Sequence, residues 1–242
     1  MHFGSEPRVF VHGFLGLATD WQAWARPNLD VSIDLWSIAA AYELAPLADA
    51  FQFAAEKIHA ALPKSGKTVL IGYSLGARLA MHALLLRPER FSAAVFVSGH
   101  PGLLSEDERA KRTQSDREWA ERFRSEPWSE LMAAWNDQAV LRSARANLVS
   151  RDEPTFTREA LAVALERWSL GRQRDLRQQL AVLDVPILLL TGAEDKKFTA
   201  LNLEWMKNLA PAKIQHRIVP EAGHRVPWEQ PQNFVEALQG FC

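Results

Sequence analysis

Cysteine is almost missing from this chain: the only one, Cys242, is the last of 242 residues. That rules out an internal disulfide framework and suits a reducing compartment. An excess of either charge is missing too. Lys and Arg number 28 against 29 Asp and Glu, a formal net charge of −1, so there is no basic footprint for nucleic acid. No apolar run approaches the ~20 residues that cross a bilayer. The opening stretch, Met1-His2-Phe3-Gly4-Ser5-Glu6-Pro7, has neither a basic nor an apolar leader region. No repeat or low-complexity tract is visible, no Cys/His cluster has metal-ligand spacing, and no glycine loop is of the phosphate-cradling kind. These absences predict a cytoplasmic globular protein of one α/β domain carrying an insertion, with no membrane span.

What is present is organised around Val69-Leu70-Ile71-Gly72-Tyr73-Ser74-Leu75-Gly76-Ala77-Arg78. Thr68 to Ile71 is an aliphatic run too brief for a helix and typical of a buried strand. Gly-x-Ser-x-Gly follows and passes directly into a helical segment, Leu75 to Arg87, ended by Pro88. That order is a nucleophile elbow, which lifts the Ser74 hydroxyl clear of the sheet and aims a helix N-terminus at developing negative charge.

The remaining strands read as Arg8–Val11, Val31–Leu35, Ala93–Val97, Val185–Thr191 and Ile214–Val219. Helical segments alternate with them, which predicts a six-stranded, mostly parallel, doubly wound sheet. Thr19-x-x-Gln22 reads as a capping box opening a short helix through Trp21 and Trp24, and Pro46 to Leu62 as an amphipathic helix. Between about Pro101 and Leu183 the strand signal disappears, leaving helices over 105–124, 127–135 and 157–168. The expected division is thus a core of residues 1–100 and 184–242 and a helical cap of residues 101–183, inserted after the fourth strand. That cap holds many arginines but a single lysine, Lys111. Most are surface ion-pair partners, yet the bias suits a site that grips carboxylates bidentately.

Three chemistry-bearing residues fall just past strand C-termini, where ligands bind in such sheets. In chain order they are Ser74, Asp195 and His224, the order of an α/β-hydrolase triad. A serine hydroxyl needs an imidazole to take its proton, and the imidazole needs a carboxylate to fix its tautomer. Glu194 competes with Asp195, and His100 and His216 with His224. The backbone N–H groups of Phe14 and Leu75 are the expected oxyanion donors. The His12 side chain reads as structural, bonded to its own turn, and His59 as a solvated or capping residue.

Several stretches resemble one family within that fold. They are His12-Gly13-Phe14-Leu15-Gly16, Gly72 to Arg78, Gly99-His100-Pro101-Gly102-Leu103, Glu108-Arg109-Ala110-x-Arg112 to Trp119, Trp135-Asn136-Asp137-Gln138, Gly192-x-x-Asp195-Lys196-Lys197-Phe198 and Ala222-Gly223-His224. Together, from His12 to His224, the chain resembles the 2-succinyl-6-hydroxy-2,4-cyclohexadiene-1-carboxylate synthases of menaquinone biosynthesis. The arginine four residues past the serine and the His-Pro-Gly-Leu entry to the cap are the most specific pieces.

The resemblance implies a carbon–oxygen lyase on an α/β-hydrolase fold, without metal or organic cofactor. In that family the histidine-activated serine acts as a base, and pyruvate leaves by 2,5-elimination from a cyclohexenyl substrate bearing several carboxylates. It implies Arg78 and Arg112 as carboxylate ligands, Tyr73 and Trp135 as pocket walls, and Arg151, with Arg158 in reserve, as a third arginine. The partner it implies is a polyanionic small molecule, for a monomer or weak homo-oligomer. One departure stands out. Where many relatives carry Asp-Leu-Pro-Gly-His-Gly, this chain has Asp34-Leu35-Trp36-Ser37-Ile38-Ala39, so Trp36 is expected to reshape a pocket wall. The competing expectations are a serine hydrolase acting on an ester, thioester or carbon–carbon bond, and a non-catalytic binding protein.

Overall fold

Three central strands are aliphatic on both sides because both faces of the sheet are covered. β1 (Arg8–Val11), β3 (Thr68–Tyr73) and β5 (Ile187–Gly192) are buried at every position, the pattern of a parallel sheet between helical layers. With β2 (Val31–Ile33), β4 (Phe91–Val97) and β6 (Ile214–Val219) they form one six-stranded sheet in the order β2-β1-β3-β4-β5-β6. Every neighbouring pair is parallel. These coordinates come from a computed structural model that describes residues 5–43, 49–142, 151–207 and 213–241. The Leu47 end of the expected 46–62 helix, Arg145 and Cys242 lie outside the described residues.

Helices connect the strands in chain order: α1 (Leu35–Glu43), α2 (Ala50–Ala61) and α3 (Leu75–Leu86) come before β4. Between β4 and β5 lie α4 (Glu106–Ser125), α5 (Trp128–Asn136), α6 (Arg158–Arg167) and α7 (Arg177–Ala181). After β5 come α8 (Lys196–Met206), α9 (Val226–Glu229) and α10 (Pro231–Gln239). Period-two alternation divides the core in two. Val9, Val11, Leu70, Phe96 and Leu189 pack with α2, α3 and the helices of the insert. Phe10, Ile71, Val95 and Leu190 pack with Trp21, Phe234 and Leu238 on the other face.

Two local expectations are corrected. Residues 18–21 form one 3-10 turn rather than a capped helix, because the buried Trp21 is drawn against Phe10, with ring centroids 5.1 Å apart. The second strand stops at Ile33, and Asp34 accepts the Trp36 N–H (3.0 Å) to start α1. The segment lacking Pro-Gly-His-Gly is therefore a helix start. Its Trp36 turns inward and donates Nε1–H to the Gly16 carbonyl (2.7 Å). Among the described residues no helix is long and apolar enough to cross a membrane.

Candidate active site

Ser74 occupies the single position between β3 and α3, at φ 52° and ψ −112°. A non-glycine residue in that region carries a strain of about 1–3 kcal/mol, and it persists only where its neighbours over-determine it. Here they do. The Ser74 N–H is held by the Val97 carbonyl at 2.9 Å. The two glycines of the motif leave no alternative path. A Cβ on Gly76 would stand 2.3 Å from the backbone oxygens of Val11 and His12, and one on Gly72 2.6 Å from Cα of Ala77. The chain thus reverses between strand and helix with the hydroxyl at the crest.

His224 Nε2 stands 3.1 Å from Ser74 Oγ, and His224 Nδ1 is 2.7 Å from Asp195 Oδ2. Asp195 divides its oxygens: Oδ2 meets the imidazole, while Oδ1 caps α8 by accepting the Phe198 N–H (3.2 Å). That arrangement places the proton on Nδ1 and leaves the Nε2 lone pair for the hydroxyl. The histidine loop is itself clamped. Ser98, at φ 48°, donates its hydroxyl to the His224 carbonyl at 2.9 Å. The Glu229 carboxylate accepts the N–H of Gly223 through one oxygen and the N–H of Arg225, at 3.0 Å, through the other. The competing histidines are engaged elsewhere. His100 Nδ1 accepts the Gly102 N–H, and burial pushes the ring down to about 3. His216 Nε2 lies 2.8 Å from Thr191 Oγ1. His12 is structural in its contacts, with Nδ1 on the Gly13 carbonyl (2.8 Å) and Nε2 accepting the Leu35 N–H (3.0 Å). Burial holds its ring neutral, at about 4. His59 is buried rather than solvated, with Nε2 2.8 Å from the Ala83 carbonyl.

Ser74 opens into a cavity of about 390 Å³ walled by Gly13, Phe14, Tyr73, Met132, Trp135 and Trp228, with Arg151 and Arg225 as its cationic members and Asp20 and Asp152 as its anionic ones. Phe14 sits in a turn closed by the Gly16 N–H on the Gly13 carbonyl (3.0 Å). Leu75 is the first residue of α3, so its N–H has no acceptor within the helix. The insert closes over this turn through aromatic rings. Phe14 lies 4.7 Å from Trp135, 5.2 Å from Phe123 and 5.6 Å from Trp36 between centroids. Trp36 therefore backs the wall that Phe14 presents. Burial raises the Tyr73 phenol above its ordinary value, with the adjacent Arg225 pulling the other way. Among the described residues no three His, Cys, Asp or Glu side chains are grouped to hold a metal ion.

Known proteins agree with this architecture. The alpha/beta hydrolase family model matches residues 9–237. A protein of Serratia proteamaculans named 2-succinyl-6-hydroxy-2,4-cyclohexadiene-1-carboxylate synthase is 34% identical over 246 residues, covering 96% of this chain and 91% of that protein. A Salmonella arizonae protein of the same name is 36% identical, covering 95% and 91%. The chain belongs to the alpha/beta hydrolase family, among these synthases. In structure it is similar to MenH from S. aureus, with a TM-score of 0.76 at 20% identity over 99% of this chain and 94% of that one. The same fold appears in an esterase from Thermogutta terrifontis, with a TM-score of 0.61 at 19% identity over 98% of this chain and 89% of that one.

Within the synthase frame, the expected arginines fall in three different settings. Arg78 is buried, with Nη2 on the Trp168 carbonyl (2.7 Å) and Nη1 on Gln173 Oε1 (3.1 Å). Desolvation pulls it down to about 9, Arg112 adds to the effect and Asp116 opposes it. Arg112 pairs with Asp116 at 2.8 Å along α4. Neither is among the residues lining the cavity. Arg151 does line it, and pairs with Asp20 at 2.7 Å. Arg158, its reserve, instead holds the carbonyls of Phe123 and Glu126 at the end of α4. Three residues escaped the sequence reading: Ser98, Glu229 and Arg225. Only Arg225 carried a signal, its place beside His224.

Proposed function

We propose that this protein is a 2-succinyl-6-hydroxy-2,4-cyclohexadiene-1-carboxylate synthase, eliminating pyruvate from a polycarboxylate cyclohexenyl intermediate of menaquinone biosynthesis. The observation that carries this reading is the Ser74–His224–Asp195 chain of contacts opening on a cavity with cationic and aromatic walls, in a chain 34–36% identical to such synthases. In the proposed reaction His224 takes the Ser74 proton, and the serine oxygen takes a proton from a ring carbon of the substrate. The electron pair left behind shifts through the ring and breaks the C–O bond to the leaving pyruvate enolate, which gains a proton to become pyruvate as the imidazolium and serine give up theirs. His224 keeps Ser74 poised as a base, and Asp195 stabilises the imidazolium. The N–H groups of Phe14 and Leu75 receive the enolate-like charge.

Residues 101–183 act in this reading as the cap over a core of residues 1–100 and 184–242. Trp135 and Tyr73 shape the pocket, and Arg151 holds one carboxylate. Arg78 and Arg112 are retained as carboxylate ligands: the Arg78 guanidinium is buried with only neutral hydrogen-bond acceptors, and Arg112 would exchange its helix partner Asp116 for a substrate carboxylate.

The test is pyruvate release from the pathway intermediate, followed with lactate dehydrogenase. Wild-type protein should release one pyruvate per substrate, and Ser74→Ala should not. Absence of pyruvate together with brisk hydrolysis of neutral aryl esters would replace the lyase by a serine hydrolase.

A further inference from the structure

The cavity beside Ser74 is lined by two guanidinium groups, and they differ in what they already hold. Arg151 is neutralised by Asp20 at 2.7 Å. Arg225 has no carboxylate partner among the described residues. Its Nη2 donates to the neutral Asn136 Oδ1 at 3.2 Å, across to α5 of the insert, its side chain also lies against the neutral Tyr73 phenol, and its Nη1 is buried with no acceptor at hydrogen-bond distance. The Glu229 carboxylate engages the Arg225 backbone N–H, not its side chain, and so fixes where the chain leaves His224. A half-buried guanidinium on the cavity wall, with one donor buried and unmet and no carboxylate in ion-pair contact among the described residues, can receive an anion.

We propose that Arg225 is a specificity-determining residue that binds a carboxylate of the substrate. The inference rests on the synthase reading and adds to it a residue outside the arginines that the family resemblance implied. Arg225 lines the same cavity as Ser74, so the carboxylate it receives belongs to a substrate bound against the catalytic serine. Arg151, already paired with Asp20, would serve a second carboxylate. Two cationic groups at fixed positions on the cavity wall restrict how a multiply charged ring can enter.

The experiment compares wild type with Arg225→Met and Arg225→Lys in the pyruvate assay, alongside calorimetric titration with the product, 2-succinyl-6-hydroxy-2,4-cyclohexadiene-1-carboxylate. A charge-assisted contact of this kind carries roughly 10–100-fold in affinity. Arg225→Met should raise KM at least about tenfold and weaken product binding to match. Arg225→Lys should fall between, since a point charge replaces a planar fork. Added guanidinium ion should restore part of the activity of Arg225→Ala. A role only in holding Asn136 would lower the melting midpoint without a matching loss of product affinity, and that result overturns the proposal. So does an Arg225→Met protein within about twofold of wild type in KM and product binding while the wild type turns over normally. If wild-type protein neither releases pyruvate nor binds the product, the synthase reading falls and takes this inference with it.

Discussion

The rim of strand ends and the helical insert meet at Ser74, and they are built on different principles. On the rim, every contact that holds a candidate catalytic group to the frame has a backbone N–H or carbonyl as one partner. Ser74 is fixed by the Val97 carbonyl, His224 by Ser98 and by Glu229 on the flanking N–H groups, and Asp195 by the first turn of α8. The insert is held by side chains that meet other side chains. Arg124 of α4 pairs with Glu159 and Glu166 of α6, and Trp135 of α5 packs on Phe14. A rim of this kind tolerates little, because its strain and its glycines admit one path. An insert of this kind can exchange partners, and its arginines are where an incoming anion competes with protein acceptors.

The largest effect should come from the rim. Ser74→Ala is expected to lower pyruvate release by at least about 10³-fold with the melting midpoint little changed, since the elbow backbone is set by its glycines. Retained turnover would mean that the insert, not the rim, carries the chemistry. Next is the joint between the two, where Arg78 links α3 to the Trp168 carbonyl and Gln173. Arg78→Met should lower activity roughly 30-fold or more, and should also cost about 2 kcal/mol, or roughly 4–8 °C. Arg225→Met should leave the midpoint nearly unmoved. If the two variants melt alike, the distinction between a joint and an open receptor fails.

Glu229→Gln tests the clamp on the histidine loop without touching the cavity. A neutral amide keeps one acceptor and loses the charge, so kcat should fall about tenfold while KM holds. A change in KM alone would place Glu229 with the binding groups. The smallest effect is expected on the far side of α3, where His82 stacks on Phe51 at 4.5 Å with its Nε2 buried and unpartnered. Burial holds that ring at about 3 in the folded protein, against 6.5 ordinarily. The unfolded chain therefore takes up the proton first. Stability is full above about pH 6.5 and declines as the pH falls toward the folded value, by about 2 kcal/mol at pH 5 from this ring. Urea melts of His82→Leu should be near wild type at pH 7.5 and lose that part of the acid sensitivity at pH 5.

Much of the rim was legible because its determinants are local. A buried parallel strand reads as an aliphatic run, an elbow as glycines around a serine, and a strand-end residue as the one that follows the run. The insert's helices were legible from caps such as Ser105, which does accept the Glu108 N–H. Side-chain partners were not. The 105–124 arginines look alike in sequence, and nothing near Arg78 indicates that its head group ends at Trp168. Arg225 meets Asn136 from 89 residues away, a separation that spacing does not encode. The 18–21 turn departs from its signature for the same reason: Thr19-x-x-Gln22 has a helical pattern, but Trp21 follows its aromatic neighbours Phe10, Trp24 and Trp228.

The ring of Phe14 gives the molecule a mechanical linkage. Its own peptide N–H belongs to the turn proposed to receive negative charge, while its benzyl group is wedged among Phe123 and Trp135 of the overlying helices and Trp36 below. Displacing α4 or α5 withdraws the packing that seats this ring and loosens the loop that carries the donor. On the proposed reading, guest admission and charge reception would be geared together through this one side chain.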